Sequence, residues 1–418
     1  MRYKSKTVCV VDNGLFVELA ITLAKDFGRV LYFMPWTSGY PNSNILLPGV
    51  GLPGIERIDS FWPLLDEIDL FVFPDVYEGP LQEFLEKRMG KRVWGARCGD
   101  ELELFRADSK KHLEKIGIDI GSWALVKGIG ELRKFLEKND DQWVKISRTR
   151  GDFETFHSVN YGLSKPKIDE LEHQLGAKGA IMEFIVEEAI NDAAEVGYDG
   201  YTIDGQYPKT AMFGIEIKDR GLVMKVMPYN SLPEEVRSVN EKLAPTFRDY
   251  GYRGFFSSEI RLQKDRIPYV IDPCCRMGAP PNEIMLELVS NWADIIWHGA
   301  MGELVEPVFE AKYAAELLLI SDWADEHWLP LDFPPALRSR VKLRYATRIG
   351  GKYYCVPQAC KHPEIGAVVG LGDTMDDAIA DVTKIAGKVK GFYLETFPES
   401  LDAAQEQIAK LKDFGIKV

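Results

Sequence analysis

Over the first hundred residues, short apolar runs alternate with segments whose apolar positions recur every three or four residues. Val8-Cys9-Val10-Val11 reads as a buried strand, residues 15–25 as an amphipathic helix and residues 29–34 as a second strand. Residues 56–60 and 68–73 repeat the strand signal, and residues 81–89 form a helix stopped by Gly90. Such alternation predicts a parallel sheet covered by helices. The Asn13-Gly14 loop follows the first strand, at the end of an open sheet where ligands bind. It lacks G-x-G-x-x-G, so no dinucleotide is implied.

Past residue 101 the texture changes. Residues 106–116 read as a helix and residues 142–147 as a strand carrying Lys145. The polar segment 148–156 holds Arg148, Arg150, Gly151 and hydroxyls, which could fold over phosphates through side chains and backbone N–H groups. An exposed hairpin tip is the alternative. Strand signals return at 180–185, 200–204, 211–217, 222–227, 259–262 and 269–272, several with connections short enough for antiparallel pairing. The proline-rich stretch 329–335 reads as a linker. Beyond it, Thr374 caps a helix with Asp376 and Asp377 in its first turn, and Ala378, Val382, Ile385 and Val389 share one face.

A chain of 418 residues suggests two or three domains at roughly 100–200 residues each. The formal charge of -13 argues against broad electrostatic binding of nucleic acid or an anionic membrane. Apolar runs fall far short of the ~20 residues of a membrane span, and no signal-peptide pattern opens the chain, so a cytoplasmic protein is expected. Six cysteines without C-x-x-C and six histidines without ligand spacing predict neither a disulfide framework nor a zinc site.

The candidate chemistry lies in two apolar runs. Ser258-Glu259-Ile260-Arg261 and the segment from Tyr269 through Asp272 to Arg276 each carry a carboxylate, and the second adds an arginine. Neighbouring strands would aim Glu259, Asp272 and Arg276 at one point, a donor set suited to Mg²⁺ and a transferring phosphoryl group. A hairpin with solvated charges is the alternative. Cys274 and Cys275 sit inside this segment, and Cys275 is read as buried and inert.

Together with segments 69–79, 93–106 and 366–379, taken in order, these motifs resemble the ATP-grasp superfamily, most closely the phosphoribosylamine–glycine ligases. The resemblance covers nearly the whole chain. It implies an α/β and α+β architecture: a Rossmann-like parallel α/β domain over residues 1–103, an ATP-grasp domain over 104–330 with a lid at about 118–190, and a small C-terminal αβ domain over 331–418. Carried over residue by residue, it implies that Lys145 reaches the nucleotide and that Glu183, Phe184 and Ile185 form the adenine hinge. Glu188 or Glu195 would hold the ribose, Glu259 and Asp272 would bind metal, and Arg276 would steady an acyl phosphate. Arg148, Arg150 and Gly151 fall in the lid loop. Arg106 stands where the family usually has a lysine, Cys274 where a metal-binding asparagine is expected, and Ala279 and Pro281 replace an acidic pair.

The implied function is an ATP-dependent carboxylate–amine ligase using Mg²⁺, with Mn²⁺ as a substitute. The carboxylate donor would be a small amino acid such as glycine. The amine would be a small molecule, with one carried on a modified nucleotide among the options. Neither a membrane nor a polynucleotide is favoured as partner, and a monomer or homodimer is expected. The competing reading is a non-catalytic ATP-binding regulatory or scaffold protein of the same fold.

Overall fold

The computed structural model describes residues 2–34, 47–146, 155–357 and 364–417. The first unit comprises β1 (Tyr3–Val11), α1 (Val17–Leu23), β2 (Phe27–Phe33), β3 (Glu56–Ile58), β4 (Leu70–Val72), α2 (Gly79–Lys87) and β5 (Arg92–Trp94). These strands pair in parallel in the order β3-β2-β1-β4-β5. Val8, Cys9 and Val10 are fully buried, as a parallel strand covered on both faces requires. The order reverses at β1, so the loops after β1 and β4 flank the crevice at the carboxyl ends. Asn13 Nδ2 donates to Asp75 Oδ2 at 3.1 Å and ties those two loops together.

Then α3 (Glu101–Leu104) and α4 (Arg106–Lys115) lead into a smaller sheet formed with β6 (Trp123–Lys127), α5 (Ile129–Leu136), β7 (Gln142–Ile146), β8 (Thr155–Ser158), α6 (Tyr161–Leu175) and β9 (Glu183–Glu188). The strand order is β6-β9-β7-β8, all antiparallel. Val144, Phe184 and Val186 pack against Leu132 and Leu136 of α5 and Ile168 and Leu171 of α6. The strand expected at 180–185 begins three residues later, because residues 176–180 close a tight helical turn after α6. That shift moves the end of β9 to Glu187 and Glu188.

The remaining elements are β10 (Ala194–Ile203), β11 (Thr210–Ile217), β12 (Gly221–Pro228), α7 (Glu234–Asp249), β13 (Arg253–Leu262), β14 (Pro268–Cys274), α8 (Asn282–Leu288), α9 (Trp292–Gly299) and β15 (Tyr313–Ile320), followed by β16 (Leu329–Leu331), β17 (Val341–Leu343), β18 (Ala346–Ile349), β19 (Lys352–Cys355), β20 (Glu364–Gly372), α10 (Met375–Ala386) and α11 (Asp402–Asp413). The main sheet runs β14-β13-β10-β11-β12-β15-β20-β17. Its largest core is shared with the first unit: Phe16, just before α1, and Leu19 of α1 belong to one buried cluster with Ile284, Trp292 and Val382.

Strand pairing continues past residue 330. β20 pairs antiparallel with β15 and β17 with β20, so the main sheet crosses the boundary expected at residue 330. The proline-rich stretch is likewise more than a linker: β16 pairs with β19 and buries Leu329 and Leu331, while Pro330 points outward on an edge strand, where a missing N–H is tolerated. Thr374 caps α10 as the sequence suggests, accepting from the Asp377 N–H at 3.2 Å. Among the described residues no helix is long and apolar enough to cross a membrane.

Candidate active site

A cavity of about 250 Å³ lies between the smaller sheet and one face of β10, β11, β13 and β14. It reaches Leu15 after the first strand and Arg344, Tyr345 and Glu364 from the C-terminal part of the main sheet. Antiparallel pairing sets its floor. Glu259 of β13 stands opposite Asp272 of β14, Ser257 opposite Cys274, and on the other side Gly197 and Glu195 of β10 face Glu259 and Arg261. Alternation along each strand puts these residues on one face. Gly197 is the one among them with no side chain, and a Cβ there would stand 2.0 Å from the Ser258 carbonyl oxygen.

Above this floor sits a buried ion cluster drawn from four elements, α4, β7, β9 and β14. Asp272 accepts from Arg106 at 2.6 Å and from Lys145 at 3.0 Å. Lys145 also bonds Glu187 at 2.9 Å, and Glu187 meets Lys110. Three cations thus surround two carboxylates. Burial would push the Asp272 carboxyl up, but Arg106 and Lys145 outweigh it and hold the group well below the usual carboxylate range. Glu187 is held down in the same way, with Lys145 and Lys110 overcoming its burial.

Next to this cluster the balance is acidic. Burial pushes the Glu259 carboxyl up to about 7, opposed by Lys218 and reinforced by Glu195 and Asp272. Glu216 is raised well above the ordinary range, again mainly by burial. Arg261 holds Glu195 at 2.7 Å and also bonds the Ile190 carbonyl. At the far end of the floor, Arg276 Nε donates to Glu103 at 2.8 Å, and the Cys275 N–H donates to the same carboxylate at 3.2 Å. Farther along, Arg344 is clasped by Glu283 at 2.7 Å and by Glu364.

The structure gathers most of the expected residues. Arg106, Lys145, Glu188, Glu195, Glu259, Asp272 and Arg276 all line the one cavity. Glu183, Phe184 and Ile185 do not. Phe184 and Ile185 are fully buried inside the smaller sheet, and Glu183 pairs with Lys127 at the opposite end of β9. The shifted start of β9 is the reason, and it brings Glu187, Glu188 and Ile190 to the cavity instead. Arg148, Arg150 and Gly151 lie outside the described residues. Sequence reasoning missed Lys110, Glu187, Glu216, Lys218 and Arg344. The signal for Glu187 was the acidic pair that ends the apolar run Phe184-Ile185-Val186. Lys110, one turn after Arg106 on α4, had the spacing to share its face.

The donor set fits Mg²⁺ in the way that ion prefers. Among the described residues no group of three or more His, Cys, Asp or Glu side chains forms a cage. Mg²⁺ instead binds through one or two carboxylates together with substrate phosphates and water. Glu259 and Asp272 are such a pair, and the raised Glu259 carboxyl marks a charge that a cation would stabilise. Cys274 lines the same cavity, but burial holds its thiol protonated, and a neutral thiol is a poor ligand for a hard cation.

No family model matches the sequence, and no curated protein matches it. Solved structures do. The phosphoribosylamine–glycine ligase of Thermotoga maritima superposes with a TM-score of 0.67 at 18% identity, covering 93% of this chain and 98% of that one. The biotin carboxylase domain of Hydrogenobacter thermophilus 2-oxoglutarate carboxylase, crystallised with MgADP, ADP and bicarbonate, gives 0.66 at 11% identity, covering 97% and 95%. The ADP complex of Staphylococcus aureus N5-carboxyaminoimidazole synthetase gives 0.58 at 13% identity, covering 99% of each chain. Likeness over whole chains at such low identity is a statement about architecture: this chain has the ATP-grasp fold.

Proposed function

We propose that this chain is an ATP-dependent ligase that joins a small carboxylate to an amine through an acyl phosphate. The observation that carries the reading is the charge arrangement of the cavity. Arg106, Lys110 and Lys145 exceed Glu187 and Asp272 by one positive charge, and the facing carboxylates Glu259 and Asp272 lie beside them. A triphosphate with a divalent cation would complement both halves: its oxygens would suit Lys145 and Arg106, and Asp272 with Glu259 would suit the cation.

Glu259 and Asp272 would hold Mg²⁺, whose contribution is charge neutralisation on the phosphates. Lys145 and Arg106 would orient the triphosphate, and Arg276, fixed by Glu103, would stabilise the transferring phosphoryl group. Glu188, Ile190 and Glu195 supply the walls for base and ribose. Trp143 and Thr155 cover the cavity from the smaller sheet and keep water from the activated carboxylate. The carboxylate oxygen attacks the γ-phosphorus and ADP leaves. The amine nitrogen then attacks the carbonyl carbon, phosphate leaves, and the amine gives up a proton. An amine that arrives neutral needs no protein base.

A small amino acid such as glycine is the proposed donor. The acceptor differs from that of the phosphoribosylamine ligases, because Gly278, Ala279, Pro280 and Pro281 line this part of the cavity without an acidic side chain. The test is ADP release from MgATP with each of the twenty amino acids and a panel of amines. Release that needs one amino acid identifies the donor. MgATP binding without ADP formation under any combination would instead support a nucleotide-binding regulatory module.

A further inference from the structure

A second cavity, of about 270 Å³, adjoins the first and shares Glu195, Glu216, Lys218 and Arg261 with it. Its outer wall comes from the far end of the chain: Ala403 and Gln407 of α11. This helix is anchored on the main sheet. Leu411 is fully buried in the cluster that contains Val196, Phe213 and Ile215 of β10 and β11, Ala404 is fully buried as well, and Lys410 Nζ reaches the Ala193 carbonyl at 3.5 Å. The helix therefore forms a fixed wall.

Two acceptors in that cavity's lining are buried with no hydrogen-bond partner, Glu195 Oε1 and Gln407 Oε1. A buried polar oxygen left unpaired costs about 1–3 kcal/mol, so a ligand supplying donors there gains what the free protein lacks. The ligand's chemistry follows from the neighbours. Arg261 already neutralises Glu195 through its other oxygen at 2.7 Å, and Lys218 stands 3.9 Å from Glu216, so both carboxylates have a cation beside them and neutral O–H donors suit the place better than an ammonium. The position also fits, since Ile190 beyond the end of β9 borders both cavities. Resting on the ATP reading above, we propose that Gln407, together with Glu195, receives the vicinal ribose hydroxyls of the nucleotide, which makes the C-terminal helix part of the nucleotide site. Gln407 is then a specificity residue for ribose over deoxyribose. An amide suits the task because a hydroxyl can meet either its oxygen or its nitrogen.

The experiment is calorimetric titration of the full chain with MgADP, Mg-2′-deoxyADP and Mg-3′-deoxyADP, in the wild type, Gln407→Ala and Gln407→Glu. In the wild type, removing either hydroxyl should weaken binding about five- to tenfold. Gln407→Ala should lose the preference at one hydroxyl and keep it at the other, while Gln407→Glu, which retains an acceptor, should restore part of it. Equal weakening of all three nucleotides by Gln407→Ala, with a lowered thermal midpoint, would show a purely structural role and overturn the proposal. So would an unchanged ribose preference. A wild type that binds none of the three would instead overturn the ATP reading on which the inference rests.

Discussion

Replacing Lys145 by Met should separate nucleotide binding from folding, although the side chain is almost wholly buried and bridges two carboxylates. Removing one partner of a buried ion pair costs about 3–5 kcal/mol when the other charge is left uncompensated. Here neither carboxylate is left so. Asp272 keeps Arg106 at 2.6 Å and Glu187 keeps Lys110, which leaves two cations with two carboxylates. Methionine preserves most of the apolar stem and its contacts. Unfolding free energy in urea should therefore change by less than about 1.5 kcal/mol. The nucleotide complex should suffer more. A charge-assisted hydrogen bond contributes about 1.5–3 kcal/mol, which corresponds to about 10–150-fold in Kd for MgADP. Paired urea denaturation and calorimetric titration read the two effects separately. A stability loss above about 3 kcal/mol would mean that the cluster has no excess cation. An MgADP Kd within twofold of wild type would mean that Lys145 does not meet phosphate.

Asp272→Asn should behave differently, since it leaves Arg106 and Lys145 facing each other: a loss of about 3 kcal/mol in denaturation and at least about a hundredfold loss of ADP release are expected. Wild-type turnover in that variant would remove Asp272 from the reaction centre. Burial pushes the Asp199 carboxyl from 3.8 up to about 6, so the native state holds this proton more tightly than the unfolded chain. Its stabilising contribution is complete below about pH 3.8 and declines as pH rises through about 6, and Asp199→Asn should gain on the wild type over that window by up to about 2–3 kcal/mol. Parallel pH profiles of the two proteins would contradict this. Gly197→Ala should cost about 3 kcal/mol, because its Cβ meets the Ser258 carbonyl oxygen at 2.0 Å across two paired backbones; an unchanged denaturation midpoint would refute the packing argument.

The two facing carboxylates, Glu259 and Asp272, were legible because each sits in an apolar run whose strand character is local, and the chain between them is short enough to pair β13 with β14. Arg276 follows Asp272 closely and could be read from spacing, whereas Lys145 lies inside a strand signal and only the family resemblance implied its place in the site. Glu183, Phe184 and Ile185 lie away from the cavity for a local reason as well. The apolar run at Phe184 to Val186 marks the centre of β9 without fixing its ends, and the turn over residues 176–180 decided where the strand begins. A shift along a strand changes which side chains reach a cavity at its end.

What the sequence determined by itself is the local helix or strand character of the strongly patterned segments and the chemistry that each carries, because the periods of helix and strand depend on neighbours only a few residues apart. What tertiary structure decided is which elements meet. Lys110 on α4 finds Glu187 on β9, and Arg106 finds Asp272 on β14. β17 and β20 join a sheet whose first strand begins at Ala194, and Gln407 on the last helix borders the cavity of Glu195. These are pairings over tens to hundreds of residues. Their free energy comes from burying shared apolar surface and balancing charge in a common low-dielectric space, and no stretch of sequence contains both partners.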